Sequence, residues 1–365
     1  MLEVKTYNRV QLQQLIASDW FASTAVLPIS VIRAQSHLHN PRARQDDVLL
    51  TIVFEGSVMR GYLGTLPDDA FHNEQCVHFA WLSCLWVDET MRGKGIARQL
   101  LQTVHDAYQG CLMVTEFTPE AEALYARSGF FPAPDKRAGL RAFIRFNTHQ
   151  LLPRKYPTLK CFTGLFKFLD VSLNTLWQPR LRMVKHPVAQ WQEWHSFHQL
   201  ASDFFTGFRK KSLTQRIPEQ LQWIINFPWL KEAASDEDSK RYYFSSVATQ
   251  FRQRIFVLQQ EKQPVALLML MLRDGHLRVP YFYGNARLDQ EALAFLFQFM
   301  VDNKAHTLTL YHPELQRAAQ QMTALPWLHR RFVYRGYLMS TTMTAQVGEV
   351  ANHFFYDGDG DAAFT

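Results

Sequence analysis

The sequence lacks most of the markers that would assign a function at a glance. It has only four cysteines, Cys76, Cys84, Cys111 and Cys161, and none forms a CxxC pair. A chain of this size needs no disulfide staples, so these read as reduced thiols in a cytosolic protein. Long apolar runs are missing too. The longest, Pro264 to Leu272, falls far short of the roughly 20 residues of a membrane-spanning helix and reads as a buried strand. The start, MLEVKTYNRVQLQQ, lacks the apolar centre of a secretory signal. No short repeat or low-complexity tract stands out.

Large single-sign charge is also scarce. The 365 residues carry 39 Lys+Arg against 33 Asp+Glu, a net +6. Residues 1–150 hold 14 basic and 15 acidic groups, and residues 186–365 hold 18 and 17. The excess lies in 151–185, where Arg154, Lys155, Lys160, Lys167, Arg180, Arg182 and Lys185 face Asp170 alone. Neither large region is basic, so no nucleic-acid partner is expected. What is abundant is aromatic surface: 14% of the chain, with 28 Phe, which must be buried or used for binding. The length suggests two domains, each able to bury a core.

Periodicity and turn residues outline the first region, 1–150. Helices are expected over Val10–Ser18 and from Pro28 to His39. Strands follow at Leu49–Phe54, Arg60–Leu63 and His78–Val87. A helix over Gly95–Tyr108 places Ile96, Leu100, Leu101 and Val104 on one face. Leu112–Glu116 reads as a strand, Glu120–Arg127 as a helix closed by Gly129, and Arg141–Asn147 as a strand. The class is α+β. A Pro-bounded linker, 151–185, holds one helix-like stretch, Phe162–Trp177. A second region starts near Val188 and spans 186–345. It opens with helices at Trp191–Leu200 and Pro218–Asn226. Then come strands at Ile255–Gln259, Val265–Leu272 and Leu277–Tyr283, a helix at Gln290–Val301, a strand at Thr307–Tyr311, a helix at Glu314–Thr323 and strands over Phe332–Thr342. This repeats the earlier order and suggests a tandem duplication. A tail, 346–365, follows.

The stretch LSCLWVDETMRGKGIARQLLQTV carries the chemistry. A strand ends at Val87, a short loop follows, and Arg92-Gly93-Lys94-Gly95-Ile96-Ala97 opens a helix. Glycines here let backbone approach a ligand, the helix N-terminus offers free N–H groups, and Arg92, Lys94 and Arg98 add charge. Together these residues suit a pyrophosphate cradle, although the motif by itself reads equally as a glycine-containing loop at a helix start. It is neither GxxxxGK[ST] nor GxGxxG, whose third glycine would fall on Arg98.

Here the sequence resembles the GNAT superfamily of acetyl-CoA-dependent N-acyltransferases. Arg92 to Ala97 matches its [QR]xxGx[GA] loop, and Ala123-Leu124-Tyr125 through Gly129-Phe130 matches its LYxxxGF helix. The resemblance covers about residues 1–150. It implies a GNAT acyl-CoA-binding fold, a mixed and mostly antiparallel sheet flanked by helices, with two such domains in tandem. It implies acetyl-CoA (coenzyme A) as acyl donor, no metal, and an amine acceptor that attacks directly in a ternary complex. Leu85, Trp86 and Val87 would line the pantetheine arm, and the same edge would polarise the thioester. Tyr125 would protonate the leaving thiolate. Thr118 stands where the family often has Asn; it can cap the helix ahead of Pro119.

For the base, Glu116 is the candidate, at the end of the strand leading into the Tyr125 helix. Asp88 reads as a loop cap, Ser83 and Cys84 lie on the central strand, and a water chain is the alternative. Arg33, Ser36, His37 and His39 are candidates for the acceptor cleft. Cys84 reads as a buried thiol. The pair His195 and His198 lacks further metal ligands. Asp357, Asp359 and Asp361 resemble the start of a calcium loop but read as a frayed acidic tail. In the second region, Gly284-Asn285-Ala286-Arg287-Leu288-Asp289 follows the matching strand without a cradle, so that domain is expected to be degenerate. A non-catalytic acyl-CoA-binding or regulatory module, and transfer to a macromolecular acceptor, are the alternatives. No membrane partner is expected, and a homodimer is left open.

Overall fold

The computed structural model describes residues 1–183, 190–197, 200, 202–209, 212–285 and 287–365. Lys185, Val188, His198 and Ala286 lie outside them. The chain divides into two compact units, neither continuous in sequence. The first comprises Met1–Arg137, Ser196–Phe251 and Arg335–Thr365; the second comprises Ala138–His195 and Arg252–Tyr334.

In the first unit, the strand Leu2–Tyr7 pairs antiparallel with Leu50–Glu55, which pairs with Val58–His72, which pairs with Gln75–Val87. The second of these hairpin strands is longer than expected because Pro67 lies inside it. Pro67 faces Ala80, whose N–H points the other way, donating to the Cys111 carbonyl, so the donor that proline lacks is not needed on that side. Gln75–Val87 runs parallel to Leu112–Thr115, and the helix Ile96–Ala107 makes the crossover that parallel neighbours require. Ile96, Leu100, Leu101 and Val104 are all buried, against Leu63, Ala80, Leu82 and Leu112. The helix Pro119–Ser128 is capped by Thr118, whose hydroxyl accepts from the Ala121 N–H at 3.3 Å, and it closes on Gly129 at φ 78°.

In the second unit, Trp191–Trp194, Phe251–Gln260, Gln263–Arg273, His276–Tyr283 and Thr307–Leu310 follow one another across the sheet. Trp191–Trp194 is a strand rather than the start of a helix. It pairs antiparallel with Ile255–Leu258, and Trp191 stacks on Phe295 at 5.3 Å, so a sheet edge and an aromatic contact override the helical pattern. The helix Asp289–Asp302 buries Leu293, Leu296, Phe297 and Met300 in this unit's core.

The strand, helix, strand, helix order occurs in both halves, but the last strands are exchanged. Leu140–Phe143 pairs with Thr307–Leu310 of the second unit, and Tyr337–Met339 pairs with Met113–Thr115 of the first. The expected boundaries 1–150, 151–185 and 186–345 therefore cut across both units. Residues 196–251 belong with the first, while the 151–183 helices belong with the second. The 346–365 tail is not frayed: Phe355 to Gly360 and Ala362 to Phe364 are buried.

Candidate functional site

The site is built around a break in strand pairing. Between Tyr62↔Trp86 and Gly64↔Ser83 the register shifts, and Cys84 takes a left-handed φ of 58°. Pairing to Leu112–Thr115 is confined to Ala80 and Trp81. Beyond the bulge, Leu85, Trp86 and Val87 thus present a strand edge turned away from their parallel neighbour. Gly61 lets the crossover helix come close here, since a Cβ there would meet the Ile96 side chain at 2.8 Å.

At the end of this edge lies the glycine loop. Asp88 caps a short turn by accepting from the Thr90 N–H at 2.9 Å and pairs with Arg60 at 2.8 Å, so it shapes the loop as expected. Gly93 and Gly95 take φ of 79° and 82°, values that favour glycine. Gly95 begins the helix Ile96–Ala107 without a side-chain cap, which leaves the first-turn N–H groups of Ile96, Ala97 and Arg98 for a ligand. A Cβ on Gly95 would meet nothing within 4 Å, so the loop faces open space. Arg92 is exposed and paired with Glu89 at 3.1 Å, and Lys94 rests on Met91 at 3.4 Å. These residues can hold a pyrophosphate through backbone donors, helix polarity and nearby charge.

A polar chamber adjoins the bulge. The buried Arg33 donates to the Ser83 hydroxyl at 2.6 Å, to the Cys84 sulfur and to the Tyr242 hydroxyl at 3.3 Å. Its guanidinium lies 3.8 Å from the centre of the Trp229 ring. Arg33 therefore fixes the bulge, a role the sequence did not reveal. His37 is fully buried and stacks on Trp229, and burial together with the Arg33 charge holds its pKa well below the usual value. Ser36 offers its carbonyl to the Trp223 indole, and His39 stacks on Phe227 at 4.3 Å.

Ser83 in turn donates to Asp361 at 2.6 Å. Asp361 is only partly accessible. Burial, reinforced by the Glu116 charge, raises its carboxyl pKa, against the pull of Ser83, Arg33 and Arg335. Tyr125 is buried, with Phe117 and Phe131 edge-on to its ring. Burial raises its phenol, and the Asp361 carboxylate and Cys84 thiol add to the effect. A phenol held protonated thus lies within electrostatic reach of a carboxyl whose ionisation burial disfavours.

Glu116 sits at the end of the Leu112–Thr115 strand, as expected, with a left-handed φ of 56°. Its carboxylate is 2.7 Å from Arg335, whose guanidinium also meets Asp357 at 2.5 Å. A carboxylate held by a guanidinium is poorly placed to accept a proton. Asp361 is the group that sequence reasoning missed. The residues after Phe354 enter the core because Phe364 stacks on Trp229 at 4.5 Å and Asp359 accepts from Thr214 at 2.9 Å, 3.8 Å from Arg216. Arg216 and Arg42 both pair with the buried Asp68, at 2.6 Å and 2.5 Å. The three tail aspartates thus have separate partners, and the described residues contain no cluster suited to a metal ion.

Among the described residues, the second unit shows no matching cradle. Its helix after His276–Tyr283 starts at Asp289 with Asp289 and Glu291 in the first turn, charges that would repel phosphate.

Comparisons with known proteins agree with this geometry. No curated protein sequence matches the chain. Among solved structures it is similar to a GCN5-related N-acetyltransferase from Anabaena variabilis (TM-score 0.50, 10% identity, 96% of this chain and 74% of that one). It is also similar to one from Kribbella flavida (TM-score 0.52, 11% identity, 92% and 71%). A third is Saccharomyces cerevisiae N-myristoyltransferase with bound myristoyl-CoA (TM-score 0.51, 9% identity, 93% and 82%). At such identities these likenesses speak for the fold. The family model for the acetyltransferase (GNAT) domain matches residues 46–132, the span that holds the bulged strand, the glycine loop and the Tyr125 helix. Residues 46–132 thus match the acetyltransferase (GNAT) domain, and the chain as a whole has the mixed α+β fold of the GNAT structures it resembles.

Proposed function

We propose that this protein is an acyl-CoA-dependent N-acyltransferase that moves an acetyl group from acetyl-CoA to an amine by direct attack in a ternary complex. The observation that carries this reading is the placement of a glycine-loop anion cradle at the end of a free strand edge, beside a chamber holding Tyr125 and Asp361. The pyrophosphate would rest on Gly93 to Arg98, and the pantetheine arm would run along Leu85, Trp86 and Val87 as an added strand. A backbone N–H of that edge would stabilise the tetrahedral oxyanion.

Asp361, relayed by Ser83, takes the proton of the attacking amine. Tyr125 gives its proton to the departing thiolate. The amine nitrogen bonds to the acyl carbon as the carbon–sulfur bond breaks, so no further reactant is needed. Asp361 replaces Glu116 as base in this reading because Glu116 is engaged by Arg335. The second unit acts as a GNAT-like partner without its own cofactor, and the protein works in the cytoplasm. The likeness to a myristoyl-CoA-bound enzyme argues for including longer acyl donors and macromolecular acceptors in the substrate panel.

Gly95→Glu tests the cradle. Its carboxylate would meet the pyrophosphate, and CoA binding measured by calorimetry should weaken about a hundredfold or more. Unchanged affinity would move the cofactor elsewhere. Tight CoA binding by the native chain without turnover on any amine would favour the non-catalytic module.

A further inference from the structure

The helix Thr163–Arg182 has its amphipathicity reversed. The side it turns into its own unit makes polar contacts over most of its length, with Trp177 and Leu181 meeting the apolar core near its end. Asp170 accepts from the Thr148 N–H at 3.0 Å, the Thr148 hydroxyl at 2.7 Å and the His149 N–H at 2.9 Å, and so caps the preceding helix, Thr148–Lys155. Asn174 meets the Phe146 backbone in both directions, accepting from its N–H and donating to its carbonyl, each at 2.9 Å. Gln178 accepts from Arg145 at 2.6 Å. These three follow at four-residue spacing, and Leu181, on the same face, is buried.

The outward side is apolar. Phe162, Leu165, Phe168, Leu169, Leu173 and Leu176 recur at helical spacing and are all exposed. The exposure reaches 67% at Phe168 and 79% at Leu176, and Met183, just past the helix, is 78% exposed. A 20-residue helix is about 30 Å long, so the stripe is far larger than the scattered apolar residues of an ordinary surface. Water gives such a stripe no stabilisation, and the polar contacts on the other face hold it outward.

Charge identifies what covers it. Arg154, Lys155, Lys160, Lys167, Arg180 and Arg182 are all exposed on this segment, Lys167 and Arg182 on the flank that also carries Asp170 and Gln178. The one acid between residues 148 and 183, Asp170, is buried in its capping role. A second copy of this face would bring six more cations and no carboxylate, so self-association is opposed. An apolar stripe on a segment whose exposed charges are all cationic fits the boundary between acyl chains and anionic headgroups. We propose that the Phe162–Met183 face docks this protein in the plane of an anionic lipid bilayer, with Phe and Leu in the acyl boundary and Lys and Arg reaching the headgroups. No membrane partner is expected from the sequence because it has no spanning run; none of the helices among the described residues is long and apolar enough to cross a membrane, and an interfacial helix needs none.

The test is co-sedimentation of the full chain with vesicles of phosphatidylcholine, with or without phosphatidylglycerol as about a third of the lipid. Binding should require the anionic lipid and weaken with salt. Phe168→Asp/Leu176→Asp and, separately, Lys160→Glu/Lys167→Glu should each weaken it by about tenfold or more. The four side chains are exposed, so circular dichroism should be unchanged. Binding that is absent, indifferent to lipid charge, or intact in the Asp variant would overturn the proposal. So would a dimer dissociated by Leu176→Asp, or equally tight binding to polyglutamate.

Discussion

Ser83 and Asp361 are joined by a 2.6 Å hydrogen bond although 278 positions separate them. That bond ties the bulged strand to a carboxylate delivered by the far end of the chain. In the proposed reaction it is the path by which an amine proton would reach Asp361.

Asp361→Asn should lower kcat about a hundredfold with CoA affinity unchanged. Because its carboxyl is raised by burial and by Glu116, the native kcat/KM should climb with pH through a value above the ordinary carboxylate range of about 4, and the Asn variant should lose that limb. Tyr125→Phe should also lower kcat while leaving that limb in place. A Glu116→Gln variant that loses the limb instead would return the base role to Glu116.

Phe364→Ala should cost about 3–5 kcal/mol in urea unfolding, because its ring is 1% exposed and stacks on Trp229. Under conditions where the variant remains folded, kcat should fall more than CoA affinity, since Asp361 loses its anchor. Equal stability in the variant and the native chain would show that this tail is not packed as described.

His78 sets a pH dependence of stability. Burial opposes its charge, but hydrogen bonds at 2.8 Å to Asp69 and 2.9 Å to Asp47 prevail and push its pKa up to about 9. A raised folded pKa stabilises the fold fully below the unfolded value of about 6.5, and the gain disappears as pH rises through 9. The contribution is about 3 kcal/mol near pH 6. The melting temperature should therefore fall between pH 6.5 and 9, and His78→Gln should flatten that segment. An unchanged slope would remove His78 as its source.

The parts of the site that could be read in the sequence are the local ones. Arg92 to Ala97 and the helix from Thr118 to Gly129 carry their glycines, caps and apolar spacing within about a dozen residues each, and periodicity suffices to place them. Arg33, Asp361 and Arg335 act through contacts between segments 50 to 278 residues apart, and no local pattern encodes those. One signal was available. Asp357, Asp359 and Asp361 are flanked by Phe354, Phe355, Tyr356, Ala362, Ala363 and Phe364, a composition foreign to a solvated tail. The strand exchange was also hidden, because Arg141–Asn147 and Phe332–Thr342 read equally well as strands of their own halves.

Synthesis order adds a consequence. A nascent chain that has emerged as far as Arg137 already contains the glycine loop and Tyr125, but it has neither the strand Tyr337–Met339 that borders Met113–Thr115 nor the Asp361 carboxylate. Its sheet keeps an unpaired edge until Tyr337–Met339 has left the ribosome, a period in which such edges are most prone to wrong pairing. On the proposed mechanism the anion cradle can therefore assemble once Arg137 has emerged, whereas proton transfer must await Asp361.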